Sequence, residues 1–285
     1  MREAEYWRSE ANNALRCLLC PNACLLEPGS KGKCDARVAS EGKLEIPFYG
    51  AISSLALDPV EKKPLRHFLP GTLTFSVGLW HCTMHCPFCQ NWEIAQPQKT
   101  YFRFMEPGDL VAKAVESSCP SISFTYSEPT LHIEYVKDCM ILAREAGLKT
   151  ILVTNGNILD TPARDILALT DAANIDLKSA SGAIYKDILG GSLSVVHNFI
   201  RIASKSCHVE ITTLIVPGIS DETSQIFDIA SFIHSLDRTI PLHLTPYFPA
   251  YRWDRPALSA SRMKELAEPA YRLLESVHLT LPRYF

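Results

Sequence analysis

The 285-residue sequence has no stretch of about 18 uninterrupted apolar residues, so nothing in it is suited to cross a bilayer as a helix. It has no excess of positive charge either. Its 28 Lys and Arg stand against 31 Asp and Glu, a net charge of −3, which leaves no broad basic field for nucleic acid or an anionic membrane. The opening residues, MREAEYWRSEANNALR, are charged and polar and lack the apolar core of a signal peptide, so a cytoplasmic location is expected. A G-x-G-x-x-G after the first apolar run is also missing, which argues against a dinucleotide-binding open sheet. What is present is 47% hydrophobic, enough for a full core, in a length suited to one α/β barrel with an appendage.

Cysteine is plentiful. Seven of the ten fall into two clusters, Cys17/Cys20/Cys24/Cys34 and Cys82/Cys86/Cys89. In a long chain without secretory features, clustered cysteines point to metal or redox sites before disulfides. Cys119, Cys139 and Cys207 stand alone and read as small buried hydrophobes.

Beyond residue 70 a repeated alternation sets in. Apolar, β-rich runs lie at 72–80, 121–128, 149–156, 172–178, 208–217 and 240–248, several of them near-continuous as in parallel strands covered on both faces. Helices are expected between them. One begins at Pro107, with Leu110, Val111, Ala114 and Val115 on one side, and one runs from Pro129 to Gly147. Others are expected over 160–170, 193–205, 222–236 and 259–275. Polar residues end nearly every strand, which favours a partial (β/α)6 TIM-type barrel over residues 71–285. The last run, VHLTLPRYF, would add an edge strand. Residues 1–70 read differently, as a short helix, a small Cys-rich metal-binding module and the connector DPVEKKPLRHFLPG.

Cys82, Cys86 and Cys89 form C-x3-C-x2-C just past the first barrel strand, the strand end that carries chemistry in such folds. Three thiolates hold three irons of a [4Fe–4S] cluster and leave the fourth iron open, as a catalytic site requires. The alternative is zinc completed by His81 or His85. Cys17, Cys20, Cys24 and Cys34, spaced C-x2-C-x3-C-x9-C, offer four thiolates, enough to close a site. Pro21 and Gly32 shape the turns between them, and the spacing does not choose between zinc and an iron–sulfur cluster.

CTMHCPFC resembles the cluster-binding motif of the radical S-adenosylmethionine (radical SAM) superfamily. Further along, TYSEPT, VTNG, NIDLK and TTLIVPGISD resemble motifs of its glycyl-radical-enzyme activase branch. DPVEKKPLRHFLPG, CQNWEIAQ and CLLCPNAC…GKC are similar to a narrower group, the AmmeMemoRadiSam-system proteins, which are pyruvate formate-lyase activating enzyme-like. The resemblance covers roughly residues 15–250. Two features depart from the activases: the chain stops at Phe285 where many relatives are expected to continue, and Gln90-Asn91-Trp92 follows the third cysteine.

The resemblance implies that the open iron binds the amino and carboxylate groups of S-adenosylmethionine, and that Glu128 contacts the methionyl amine while Asp176 and Lys178 also contact the cofactor. The rival readings are a helix-start carboxylate for Glu128 and a structural ion pair on one strand face for Asp176/Lys178. Asn155 either faces the nucleoside or makes a strand-to-helix turn. His243, Thr245 and Tyr247 alternate on one face of the last clear strand, where they meet a substrate or the adenine unless His243 is a satisfied core residue.

The expected function is reductive cleavage of S-adenosylmethionine and hydrogen abstraction from a protein or small molecule. An electron donor such as flavodoxin or ferredoxin would serve it, with no nucleic-acid or membrane partner. The competing readings are a metal-stabilised electron-transfer or binding protein and a zinc-dependent nucleic-acid binder, the latter lacking a basic face.

Overall fold

A computed structural model describes residues 2–97, 99, 101 and 103–282. Seven parallel strands follow one another across one sheet in chain order: β1 (Leu73–Leu79), β2 (Ser121–Thr125), β3 (Lys149–Thr154), β4 (Ala172–Asp176), β5 (His208–Ile215), β6 (Leu242–Pro246) and β7 (Val277–Leu279). Every residue of β2 is buried, as its unbroken apolar and small-polar run requires. β7 is the expected edge strand; residues 283–285 of that run lie outside the described residues.

Helices α1 (Pro107–Glu116), α2 (Ile133–Glu145), α3 (Asp160–Leu167), α4 (Leu193–Ala203), α5 (Thr223–Leu236) and α6 (Ala260–Leu273) fill the intervals. Pro107 opens α1, which buries Leu110, Val111 and Ala114. Val115, expected on the same face, is 47% exposed, because the inward stripe is narrower than the apolar composition of the segment. Pro129–His132 forms a 3-10 turn that leads into α2, and Gly147 follows the helix with φ +80°, where a side chain would be strained.

Two parts of the amino-terminal segment differ from expectation. In place of a short helix, Trp7–Ser9 and Leu15–Cys17 pair antiparallel around a 3-10 turn at Ala11–Asn13. A helix this short is marginal in water, whereas the hairpin brings Arg8 and Arg16 together on Glu10. Ala51–Pro59 joins the main sheet antiparallel to β1, with Arg103–Phe104 beyond it, so the hydrogen-bonded sheet begins before residue 71.

The connector then folds under the sheet. Val60 and Leu65 pack on Ile151 and Ala172. The Asn174 amide donates to the Pro64 carbonyl at 2.9 Å, and the buried Glu210 carboxylate accepts from the Arg66 and His67 amides at 3.0 and 2.8 Å. The amino-terminal end of the concave face therefore has a floor, and the carboxyl end stays open. Among the described residues, no helix is long and apolar enough to cross a membrane.

Candidate functional site

A cavity of about 580 Å³ opens at the carboxyl ends of the parallel strands. Its wall brings together Cys82, Cys86, Cys89, Glu128, Asn155 and the Asp176–Lys178 pair, residues spread over 97 positions of sequence, because β1 to β4 lie side by side and each ends at the same rim. Cys86 is buried and Cys82 and Cys89 half-buried.

Burial pushes all three thiols up, Cys86 to about 11, and the Glu128 carboxylate raises Cys82 further. Lys178 opposes this at Cys86 and Cys89. Deprotonated sulfur is thus costly here unless something cationic meets it, as a metal cluster does. The Met84 amide donates to Cys82 Sγ at 3.4 Å, and Asn155 Nδ2 reaches the same sulfur at 3.5 Å. Asn155 Oδ1 accepts from the Asn157 amide at 2.8 Å, which fixes the orientation of the side-chain amide and turns its NH₂ end to the sulfur.

Glu128 is 1% exposed. Its Oε1 accepts from the Thr130 amide (3.1 Å), Thr130 Oγ1 (2.6 Å) and Thr154 Oγ1 (2.6 Å), while Oε2 accepts from the Asn155 amide (2.8 Å). The carboxylate caps the turn at Pro129 and ties β2 to β3, and Oε2, with one donor, has room for another. Burial raises Glu128 above the ordinary carboxylate range against the pull of those donors.

Lys178 Nζ meets Asp176 Oδ2 at 2.8 Å. Burial works against the ammonium, but Asp176 and Cys86 outweigh it and hold Lys178 above its ordinary value, so it is charged beside the cysteines. An ion pair on the cavity wall supplies a carboxylate and an ammonium at once, suited to a zwitterionic ligand.

Other expectations fare differently. His243 is buried on the floor, its Nε2 2.6 Å from Glu210 Oε2, and does not line the cavity. It is the second residue of β6, toward the amino-terminal end of the strand and below the open rim. Thr245 lines the cavity, and the Tyr247 hydroxyl donates instead to the Trp253 carbonyl. The two histidines considered for zinc are turned elsewhere. The His81 ring lies 5.0 Å from the Phe48 ring, and His85 Nδ1 is 3.0 Å from Gln96 Oε1. Among the described residues, no three His, Cys, Asp or Glu side chains close on a single ion.

One wall went unnoticed in the sequence. Lys62, Lys63 and Tyr126 also line the cavity, with Asp58 accepting from Lys62 (2.8 Å), Lys63 (2.6 Å) and the Tyr126 hydroxyl. Asp58 and Lys62 stand four apart in DPVEKKP, a spacing that marks a local ion pair but not its place against the cavity.

Comparison with known proteins bears on the family and the fold. A profile described as "Radical SAM superfamily" matches residues 81–230. An uncharacterised protein of Methanocaldococcus jannaschii is 38% identical over 256 residues, spanning 88% of this chain and 76% of its own. The pyruvate formate-lyase 1-activating enzyme of Escherichia coli K12 is 26% identical over 182 residues, 61% of this chain and 73% of its own. Among solved structures, Streptococcus suis SuiB bound to S-adenosylmethionine aligns with a TM-score of 0.57 at 15% identity, covering 74% of this chain and 52% of that one. Escherichia coli QueE aligns at 0.52 and 13% identity, covering 81% and 94%. At such identities the two structures share the fold, an α/β architecture with a mostly parallel sheet.

Proposed function

Because the chain belongs to the radical SAM superfamily, we propose that it is an enzyme whose Cys82, Cys86 and Cys89 hold a [4Fe–4S] cluster with one iron open to S-adenosylmethionine. When bound, that pair supplies one-electron reductive cleavage of the S–C5′ bond, giving methionine and a 5′-deoxyadenosyl radical that takes hydrogen from a substrate. The observation that carries the reading is the convergence of three buried or half-buried thiols with Glu128 and the Asp176–Lys178 pair on one cavity wall.

The protein's own residues bind, orient and exclude. Glu128 Oε2, which has one donor, would accept from the methionyl ammonium, and Lys178, paired with Asp176, would meet the cofactor carboxylate. Asn155, drawn to the Cys82 sulfur, holds the cluster loop rather than reaching freely for a nucleoside. The connector under the sheet closes the floor, so substrate enters from the rim. We read the sheet as a partial (β/α)6 barrel over 71–285, with 1–70 as the Cys-rich module and its connector, the last strand of which is built into the sheet.

The similarity to pyruvate formate-lyase activating enzymes favours a protein glycine as hydrogen donor, served by a flavodoxin- or ferredoxin-type reductant in the cytoplasm. Gln90-Asn91-Trp92 is where the chain departs from them. Asn91 Nδ2 donates to the Tyr126 carbonyl at 2.8 Å, joining two residues of the cavity wall, and Trp92 stacks on Tyr251 at 5.3 Å.

The test is anaerobic: reconstitute and reduce the cluster, add S-adenosylmethionine and quantify 5′-deoxyadenosine, with a Cys82/Cys86/Cys89-to-alanine variant alongside. Cysteine-dependent product supports the enzyme. Cofactor bound but uncleaved by a reducible cluster would favour the electron-transfer or binding protein instead.

A further inference from the structure

The amino-terminal cysteines come together in the fold. Cys17 and Cys20 are buried, Cys24 and Cys34 half-buried, and the Cys20 sulfur feels all three of the others. A methyl group built on Gly32 would lie 3.5 Å from Cys34 Sγ and 4.0 Å from Cys24 Sγ, so glycine keeps the space between them open. The Leu19, Asn22 and Ala36 amides are turned toward the Cys17, Cys20 and Cys34 sulfurs, each from two residues on, and Asn22 Nδ2 reaches Cys20 Sγ at 3.7 Å. Amide donors aimed at sulfur favour thiolate over thiol. The loop at Cys82 repeats the device with Met84.

Arg37 supplies the second, independent observation. It is 1% exposed, and its Nη1 and Nη2 pair with Glu134 Oε1 and Oε2 at 3.0 and 2.8 Å, while its Nε has no partner. The guanidinium acts on the Cys17 sulfur more strongly than the carboxylate behind it, and it acts on Cys34 too. A buried cation with an unused donor, acting on the Cys17 and Cys34 sulfurs, is what an anionic metal–thiolate centre needs as counter-charge.

We propose that Cys17, Cys20, Cys24 and Cys34 hold a second, fully ligated iron–sulfur cluster, with Arg37 as its buried counter-cation. Zinc is the lesser fit. A four-iron cube takes one thiolate per corner and needs them apart, and the Cys24 and Cys34 sulfurs border the space that Gly32 leaves open. Asp35, next to Cys34, acts electrostatically on His81, next to Cys82. This inference does not rest on what the cavity catalyses.

The experiment uses the full chain with Cys82, Cys86 and Cys89 replaced by alanine, reconstituted anaerobically with iron and sulfide. About four irons and four sulfides per chain should remain, with the EPR signal of a reduced cluster after dithionite. The iron should disappear when Cys17, Cys20, Cys24 and Cys34 are changed to serine as well. One zinc without sulfide, or no metal at all, overturns the proposal. For Arg37, the midpoint potential of that centre should move negative in Arg37→Met and hold in Arg37→Lys. Should Arg37→Met not fold, Glu134→Gln should move it positive by unmasking the guanidinium. A potential indifferent to these charges overturns the counter-cation role.

Discussion

The two cysteine regions are built with the same devices and differ in access. Each places backbone amides against sulfur, and each has a non-glycine residue of positive φ beside a cysteine: Ala23 and Asp35 in one, His81 in the other. Such backbone costs of order 1–3 kcal/mol per residue and persists only where surrounding contacts enforce it. Each also has a cation at hand. Arg37 is sealed against Glu134 away from solvent, whereas Lys178 shares a 580 Å³ cavity with Asp176. Four ligands with a sealed cation describe a centre that holds its metal closed. Three ligands with a cation in a cavity describe one that keeps a place for something else. Ligand number and the accessibility of the counter-charge together separate a closed site from an open one.

The largest effect should come from the open region. Cys86→Ala is expected to abolish 5′-deoxyadenosine formation while the far-UV circular dichroism stays that of the folded chain; residual turnover above the metal-free background would remove the cysteine from its role. Next comes the sealed region, where Arg37→Met leaves Glu134 without its bidentate partner and should destabilise the fold by about 3–5 kcal/mol in denaturant unfolding. A loss below about 1 kcal/mol would mean that the pair is not buried in solution.

Asp176→Asn should weaken S-adenosylmethionine binding by roughly tenfold in a calorimetric titration, the scale of one charge-assisted contact. Unchanged affinity would leave the pair structural and bring the two regions closer in kind.

A pH-dependent effect lies on the seam between them, where His132 Nε2 donates to the Trp80 carbonyl at 2.6 Å. Burial lowers His132 from 6.5 to about 4, so the fold holds it neutral. Its stabilisation is complete above pH 6.5 and fades as pH falls toward 4, a loss on the order of 2 kcal/mol between pH 7 and 5. His132→Gln, which keeps a donor but cannot titrate, should flatten that part of the pH–stability curve; an unaltered slope would show that other groups govern it.

Much of the fold could be read from the chain. The βα alternation and the proline and glycine punctuation of the helices are local signals, and six parallel strands and six helices stand close to where they were expected. The misreadings have a common origin. The amino-terminal hairpin looked helical because its pairing partner is set by register rather than periodicity. His243 shares a face with Thr245, but height along β6 decides which meets the cavity and which meets Glu210 on the floor. Glu128 was read as a cap or a ligand, and its four donors show it tying two strands together as well.

By itself the sequence determined how many thiolates each loop could offer, at what spacing, and which strand ends would carry charge. These follow from residue order within short segments. Only the tertiary structure decided that Asn155 meets the Cys82 sulfur, that the connector forms the floor beneath the cavity, and that Arg37 finds Glu134 97 residues away. Those contacts depend on how strands and helices pack once water is expelled. No local pattern encodes them, because the burial that makes an unpaired polar atom costly exists only in the folded chain.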